Sequence, residues 1–249
     1  MNTPAVKSAE RVIRIFECFR DKQHGLSAKE ISDQLRLPGS STFVLLRSMV
    51  HIGYLHFDPT TREYYPTLLV TELGSWIPTF AYGLNDPRML IETIRDATGE
   101  TVTLSVQNNL SMQILDTAIG TQMIVLNIRT GDKLPLLISN IGRVSLSLRS
   151  DDEIAKLLKR AGGGALGGEP PPDIDSLMSE IAHIRKRGYG VGYDSVIAGL
   201  GAIAWPIDTN HPARTLVIAL AGPTDRIRNN EKTIVNKVKA ILKKHAPRR

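Results

Sequence analysis

The segment from Gly25 to Leu55 constrains the fold of this chain more than any other part of the sequence. Ser27 and Glu30 form the pattern S-x-x-E, in which the serine side chain accepts a backbone N–H and the glutamate reaches back to the N–H of the cap. Pro38 is tolerated at a helix start but not in a helix interior, so a first short helix must end before it. A capped helix followed by a tight turn is therefore predicted here.

A second short helix is predicted from Ser40 to Gly53, with apolar residues at helical spacing on its inner face. These inward residues are Phe43, Leu46, Met49 and Val50. A hairpin follows, because the Asp58-Pro59 pair favours a chain reversal between two strand-like runs. Two helices and a hairpin are the layout of a winged helix-turn-helix, whose second helix enters the major groove of DNA. DNA binding is therefore the first hypothesis.

The candidate DNA contacts are mostly small polar or cationic residues around the start of the second helix, with one from the preceding cap and one from the wing. They are Ser27, Gly39, Ser40, Ser41, Thr42, Phe43, Arg47 and Arg62. Arginine can bind guanine with two hydrogen bonds, whereas serine and threonine bond to phosphate or to base edges. The alternative role is a helix N-cap for Ser40 and a solvated surface position for Arg47.

Composition limits the other classes of function. The sequence has no run of about 18 apolar residues and no apolar leader, so we expect neither a membrane-spanning helix nor a secretory signal. Cys18 is the only cysteine, which excludes an internal disulfide and a multi-cysteine zinc site and suits the cytoplasm. The candidate acid, base and nucleophilic residues are scattered, so we expect no catalytic site, no metal and no cofactor.

The order of helix-like and strand-like segments predicts three regions. Residues 1–66 form the winged module, 67–86 a linker helix, and 87–249 an α+β domain with antiparallel hairpins and helices on one face of the sheet. In the last region a strand is expected at 124–128. The glycine- and proline-rich run at 162–172 is interpreted as a mobile linker, because it lacks the Lys-Ser/Thr ending of a phosphate-binding loop.

Taken in order, the motifs of the chain resemble those of the IclR family of bacterial transcriptional regulators. The motifs are Gly25–Ile31, Leu37-Pro38, Ser40–Thr42, Leu45-Leu46, Gly53–Leu55, Thr98–Val102, Arg187–Tyr189, Ile203-Ala204 before Pro206, and Gly222-Pro223. The resemblance implies a winged helix-turn-helix, a linker helix and a GAF-like effector-binding domain. It also implies homodimers or homotetramers that bind a palindromic double-stranded operator and respond to a small metabolite, often a carboxylate.

The second helix departs from the family pattern. Relatives often carry a lysine and, five residues later, an arginine, where this chain has Gly39 and Val44. Two cations that could contact phosphate or bases are therefore missing, and the operator sequence cannot be transferred from relatives. Arg47 and the three hydroxyl residues that begin the helix remain as candidate contacts.

The predicted effector pocket has lost polar residues relative to the family. Aligned on the shared motifs, the aspartate and cysteine positions of relatives fall on Gly192 and Ala202, and two serine positions fall on Ala219 and Ala221. Small-molecule sites are mostly apolar with a few orienting polar groups. The sequence therefore predicts a small apolar or aromatic carboxylate as effector. In the lining we expect Ile141 and, as polar anchors, Ser139, Asn140 and Asp194.

Two alternatives stay open. In one, the pocket has degenerated and the second domain serves only oligomerisation. In the other, the winged module contacts proteins rather than DNA, as winged folds can. A protein-contact module would show no DNA sequence preference, whereas an operator complex weakens as salt rises, because counterions are released from the phosphates.

Overall fold

The structure, a computed structural model, describes residues 6–77, 87–161, 172–207 and 215–245. It divides into two compact units between Trp76 and Ile77. In the first unit the elements before the connecting segment are α1 (Lys7–Lys22), β1 (Leu26–Ser27), α2 (Ala28–Leu35), α3 (Gly39–His51), β2 (Leu55–Asp58) and β3 (Glu63–Pro66). The predicted winged helix-turn-helix is present.

Local rules of helix capping account for the ends of α2. The Ser27 hydroxyl accepts the Glu30 N–H at 3.3 Å, and the Ser27 N–H donates to the Glu30 carboxylate at 2.8 Å, which completes the capping box. Arg36 closes the helix in the left-handed conformation with φ 53°. β1 adds a third strand to the hairpin, in the antiparallel order β1-β3-β2.

The inner face of α3 differs from the prediction by one position. Phe43, which was expected to point inward, is 48% exposed, whereas Thr42 is fully buried. Thr42, Leu46 and Met49 share the inner face at spacings of four and three residues, and they meet the core of α1 and α2. Burial of the Thr42 hydroxyl is compensated by a 3.2 Å hydrogen bond to the Pro38 carbonyl.

In the described residues the predicted linker contains one helical turn, and its last described residue, Ile77, is again helical. α4 covers Leu69–Glu72, and the chain continues in turns to Trp76. A helix this short gains little from its own hydrogen bonds, and Gly74 disfavours its extension. Residues 78–86, which complete the predicted linker, lie outside the described part of the chain.

The second unit is built on one antiparallel sheet. Its strands are β4 (Thr101–Asn108), β5 (Ser111–Ala118), β6 (Lys133–Pro135), β7 (Gly190–Tyr193), β8 (Leu200–Ile207) and β9 (Leu216–Pro223), in the order β6-β5-β4-β9-β8-β7. Its helices are α5 (Pro87–Thr98), α6 (Asn140–Leu146), α7 (Asp151–Ala161), α8 (Ile174–Arg187) and α9 (Thr224–His245). The α+β fold class is as predicted.

Helices cover both faces of this sheet, and the expectation of one covered face is wrong. Along β9, Leu216, Ile218 and Leu220 pack with α5 and α9, whereas Val217 and Ala219 pack with α6, α7 and α8. A central strand that is buried on both faces is apolar at nearly every position and does not alternate. The helices therefore form two separate cores, one on each side.

Two further expectations for this unit are wrong, and a third concerns residues that are mostly outside the described ranges. No strand forms at 124–128; the third strand is β6, and Leu126 and Ile128 pack into the core from irregular backbone. The segment from 138 to 144, expected as a loop, contains most of α6. The run at 162–172 lies outside the described residues except at its last position. Among the described helices, none is long and apolar enough to cross a membrane.

Candidate functional site

One exposed stripe runs the length of α3. Its members recur three or four residues apart and are Ser40, Phe43, Val44, Arg47, Ser48 and His51. Phe43 and Val44 are 48% and 61% exposed, and the Arg47 guanidinium carbon lies 5.9 Å from the centre of the Phe43 ring. The stripe therefore presents apolar surface beside one oriented cation.

Most predicted DNA contacts lie on accessible surface, but Thr42 is buried and the Ser27 hydroxyl is already hydrogen-bonded. Gly39, Ser40, Arg47 and the other stripe residues are exposed, and Arg62 is exposed at the tip of the wing with φ 59°. Thr42 is buried, so its prediction as a contact is wrong. The Ser27 hydroxyl is committed to Glu30 of the capping box, at 2.7 Å, and is not free for DNA either.

The first turn of α3 is capped by Pro38 and lies beside α1. Pro38 is the N-cap residue of α3, so the alternative role of Ser40 as N-cap does not apply. The Ser41 hydroxyl, half-buried, donates to the Pro38 carbonyl at 3.0 Å. Ser8 and Arg11 of α1 line a shallow depression together with Ser40, Ser41, Val44 and Leu45. Sequence reasoning missed Arg11, because only tertiary packing brings α1 beside the start of α3.

The second unit contains a cavity between the sheet and α6. Its volume is about 70 Å³, several times the roughly 10–15 Å³ that one water needs on the same measure. It is lined by Thr103, Leu126, Ile128, Leu134, Ser139, Asn140, Ile141, Gly192, Ser195, Val196, Ile197, Leu200, Ala202, Ala219 and Ala221. Every predicted effector residue except Asp194 is in this set.

Asp194 has a structural role in place of the predicted one. Its backbone is left-handed, with φ 56°, and its carboxylate accepts the Gly199 N–H at 2.6 Å and the Thr224 hydroxyl at 3.1 Å. These contacts close the loop from 194 to 199, whose residues Val196 and Ile197 form part of the cavity lining. Asp194 therefore lies outside the described lining, and one of its carboxylate oxygens holds this loop in place.

Ser139 and Asn140 line the cavity, but their side-chain hydrogen-bond donors are already used. The Ser139 hydroxyl donates to the Pro135 carbonyl at 2.5 Å and accepts the Gly142 N–H at 3.2 Å as the N-cap of α6. The Asn140 amide nitrogen donates to the carbonyls of Gly190 and Ala202, at 3.3 and 3.1 Å. Asn140 therefore fixes α6 against β7 and β8, and Ser139 joins the start of α6 to the end of β6. The expectation that their side chains are free to anchor a ligand is revised accordingly.

Thr103 is the cavity residue that sequence reasoning missed. Along the same face of β4, the hydroxyls of Thr101 and Ser105 donate to the Leu126 and Val217 carbonyls, at 2.9 and 3.1 Å. The Thr103 hydroxyl makes no hydrogen bond among the described residues, although the side chain is only 6% exposed. Thr117 faces it across the strand pair, and its buried hydroxyl is also unpartnered there. The period-two run Thr-x-Thr-x-Ser was the available signal.

The charged groups near the cavity point elsewhere. The lining set contains no acidic or basic side chain. The Tyr193 hydroxyl donates to Glu231 of α9 at 3.0 Å, and burial together with this hydrogen bond raises the pKa of Tyr193 to about 12. Within the described ranges, no group of three His, Cys, Asp or Glu side chains is placed to hold a metal ion.

Comparisons with known proteins match both units. The family model for the IclR helix-turn-helix domain matches residues 8–59, and that for the bacterial transcriptional regulator IclR C-terminal region matches residues 85–247. The chain is 26% identical to the transcriptional repressor IclR of Escherichia coli (strain K12), covering 93% of this chain and 85% of the relative. It is 23% identical to the HTH-type transcriptional repressor AllR of the same organism, covering 89% and 82%.

Solved structures agree in fold. The Thermotoga maritima IclR structure matches with a TM-score of 0.68 and 20% identity, covering 96% of this chain and 98% of that one. A putative transcriptional regulator from Rhodococcus sp. RHA1 matches with a TM-score of 0.68 and 19% identity, covering 96% of each chain.

Proposed function

Because the chain belongs to the IclR family of bacterial transcriptional regulators, we propose that it binds a palindromic operator through α3 and that a small molecule in the cavity of the second unit controls this binding. The named relatives include the acetate operon repressor of Salmonella typhimurium and the repressor AllR. These names support a role as repressor of a metabolic operon.

The observation that carries the DNA-binding proposal is the exposed stripe of α3. Its one arginine can bind guanine with two hydrogen bonds, and its apolar residues Phe43 and Val44 can contact the methyl groups of thymine. Arg11 and Arg62 extend the surface with cations suited to phosphate. This arrangement favours reading by one cation and apolar contacts, rather than by the several cations common in relatives.

The proposed mechanism requires two copies of the chain. A homodimer or homotetramer presents two α3 helices to major grooves about 34–36 Å apart, and the operator is then palindromic. A ligand shifts the balance between DNA-binding and non-binding arrangements only by its difference in affinity for the two. In the repressor form proposed here, the ligand prefers the non-binding arrangement.

Selection of binding sites from randomised DNA duplexes tests this function. The full chain is expected to enrich a palindrome, and the affinity for that duplex should fall linearly on a logarithmic scale as salt rises. Fluorescence anisotropy on the selected and on a scrambled duplex measures both effects. Failure to enrich any sequence would reject operator binding and favour the protein-contact alternative.

A further inference from the structure

We propose that the cavity takes an uncharged, largely apolar ligand that carries a single hydroxyl or carbonyl group, rather than the carboxylate expected from the family. The inference rests on the proposed function, in which this cavity is the effector site. It is carried by the charges and hydrogen bonds of the lining residues.

The described lining contains no side chain that could compensate a negative charge. Eleven of the fifteen lining residues have no polar side-chain atom, and the other four are Thr103, Ser139, Asn140 and Ser195. A carboxylate that leaves water must be compensated by a cation or by several hydrogen-bond donors. No lining side chain is cationic, so hydrogen-bond donors alone would have to compensate the charge of the carboxylate.

The polar side chains of the lining have spent most of their donors, which leaves a carboxylate little more than the backbone N–H groups in the first turn of α6. The hydroxyl of Ser139 and the amide nitrogen of Asn140 already donate to backbone carbonyls. Since both partners of the amide are carbonyl oxygens, the nitrogen must face them, and what Asn140 has left is an acceptor oxygen. An acceptor repels a carboxylate. The hydroxyl of Ser195 has only a 3.5 Å contact with the Tyr193 carbonyl, and one such group does not compensate a full charge.

Thr103 indicates which polar group the ligand carries. The Thr103 hydroxyl lines the cavity without a hydrogen bond among the described residues. A ligand group that forms a hydrogen bond with this hydroxyl supplies a partner that the described side chains do not. A hydroxyl can both donate and accept, so it fits a neutral alcohol, phenol or carbonyl. The aliphatic residues around it, among them Leu126 and Ile141, fit the rest of such a molecule.

Matched pairs of small molecules test the proposal on the full chain. The pairs are benzyl alcohol with benzoate and 1-pentanol with pentanoate, which differ chiefly in charge. Isothermal titration calorimetry near pH 7 should give the alcohol at least about tenfold tighter binding than the acid in one pair or both. The apparent affinity of that acid should rise steeply from about pH 7 to about pH 5, because its neutral fraction increases as the pH approaches a carboxyl pKa.

Variants locate the binding. Thr103→Val keeps the shape of the side chain but removes its hydroxyl, so it should lower the affinity for the alcohol several-fold. The affinity for toluene, which has no polar group, should not change. Ala202→Leu fills the cavity and should abolish binding of both. Asp175→Asn is the control and should leave affinity unchanged, because Asp175 is exposed on α8 and lies outside the lining. Circular dichroism checks that each variant is folded.

The outcomes separate this inference from the proposed function. Tighter binding of the acids than of the alcohols, lost in Ala202→Leu, would overturn the inference and still support an effector site. Binding of neither class at millimolar concentration would also overturn it, and operator binding, measured separately, would then stand on its own. Preference for the alcohols with loss in Thr103→Val supports it.

Discussion

The exposed stripe of α3 and the cavity of the second unit are built in opposite ways. The stripe comes from one helix, and its residues have little contact with the rest of the unit; the helical period alone brings Ser40, Val44 and Arg47 together. The cavity is lined by residues from β4, β6, β7, β8, β9, α6 and two loops. Polar side chains in the stripe face solvent, whereas most of those at the cavity are bound to their own backbone. In the stripe, among the residues that the structure describes, only the Ser48 hydroxyl is bound to the backbone, at the Val44 carbonyl, so a surface made by one element leaves most of its polar groups facing solvent. A site made by many elements uses most of them for assembly.

The largest expected effect contrasts the two faces of α3. Leu46→Ala removes a fully buried side chain and should cost about 2–5 kcal/mol of stability in the first unit. Val44→Ala, two residues earlier on the exposed face, should change stability by less than about 0.5 kcal/mol. Hydrogen exchange of α3 amides in the full chain measures both. Equal effects would show that the inner and outer faces are wrongly assigned.

Arg47→Ala should weaken binding to the selected operator by about 1–3 kcal/mol, if this side chain makes the bidentate base contact. Anisotropy titrations at fixed salt measure the change. Arg20→Ala is the matched control, since Arg20 is exposed at the end of α1 and pairs with Asp21. An unchanged affinity in Arg47→Ala would remove Arg47 from the reading surface.

A capping box occurs in both units and allows a direct comparison. Ser27 caps α2 with Glu30, and Ser150 caps α7 with Glu153 through the same reciprocal bonds. Ser27→Ala and Ser150→Ala should each cost about 1 kcal/mol of stability. Hydrogen exchange of the first-turn amides in each helix measures the two losses. Stability unchanged by either substitution would contradict the capping role of that serine.

The two boxes also predict a common pH dependence. Hydrogen bonds from the serine backbone and side chain lower the pKa of Glu30 and of Glu153. A lowered pKa in the folded state means that the stabilisation is present at neutral pH and is lost as the pH falls through that pKa. Acid titration followed by circular dichroism should therefore show weaker acid sensitivity in the alanine variants. Identical acid profiles with and without the serine would contradict this.

The smallest expected effect tests the apolar part of the stripe. Replacing operator thymines with uracil removes methyl groups and leaves base pairing unchanged. Each methyl that packs on Val44 or Phe43 should cost at most about 0.8 kcal/mol of binding. In Val44→Ala the sensitivity at its thymine should disappear. Affinity that is indifferent to every such replacement would exclude methyl contacts.

The sequence was sufficient where structure depends on near neighbours in the chain. The capping box at Ser27, the end of α2 and the boundaries of α7 and α8 follow from residues within one or two turns. The position of Phe43 did not, because Phe43 and Thr42 are adjacent and their polarity suggests the wrong choice of inner residue. The Thr42 hydroxyl finds its partner at Pro38, a bond that hydrophobic spacing does not reveal.

The cavity shows the same limit more strongly. Alignment to family motifs located Gly192, Ala202, Ala219 and Ala221, since their places in the strands are set by neighbouring motifs. The role of Asp194 was not predictable, because its partner Thr224 lies thirty residues away at the start of α9. Thr103 was missed because its hydroxyl is distinguished only by lacking a hydrogen bond among the described residues. The hydroxyls of Thr101 and Ser105, on the same face of β4, both donate to backbone carbonyls.

The loop that closes over the cavity is tied to the final helix. Gly199 accepts the Thr224 N–H at 2.9 Å, and Asp194 accepts the Thr224 hydroxyl. Val196 and Ile197 sit between those two tether points. A molecule that pushes this segment outward would therefore break both hydrogen bonds or displace the first turn of α9. In the second case, binding in the cavity would shift the end of a helix of twenty-two residues.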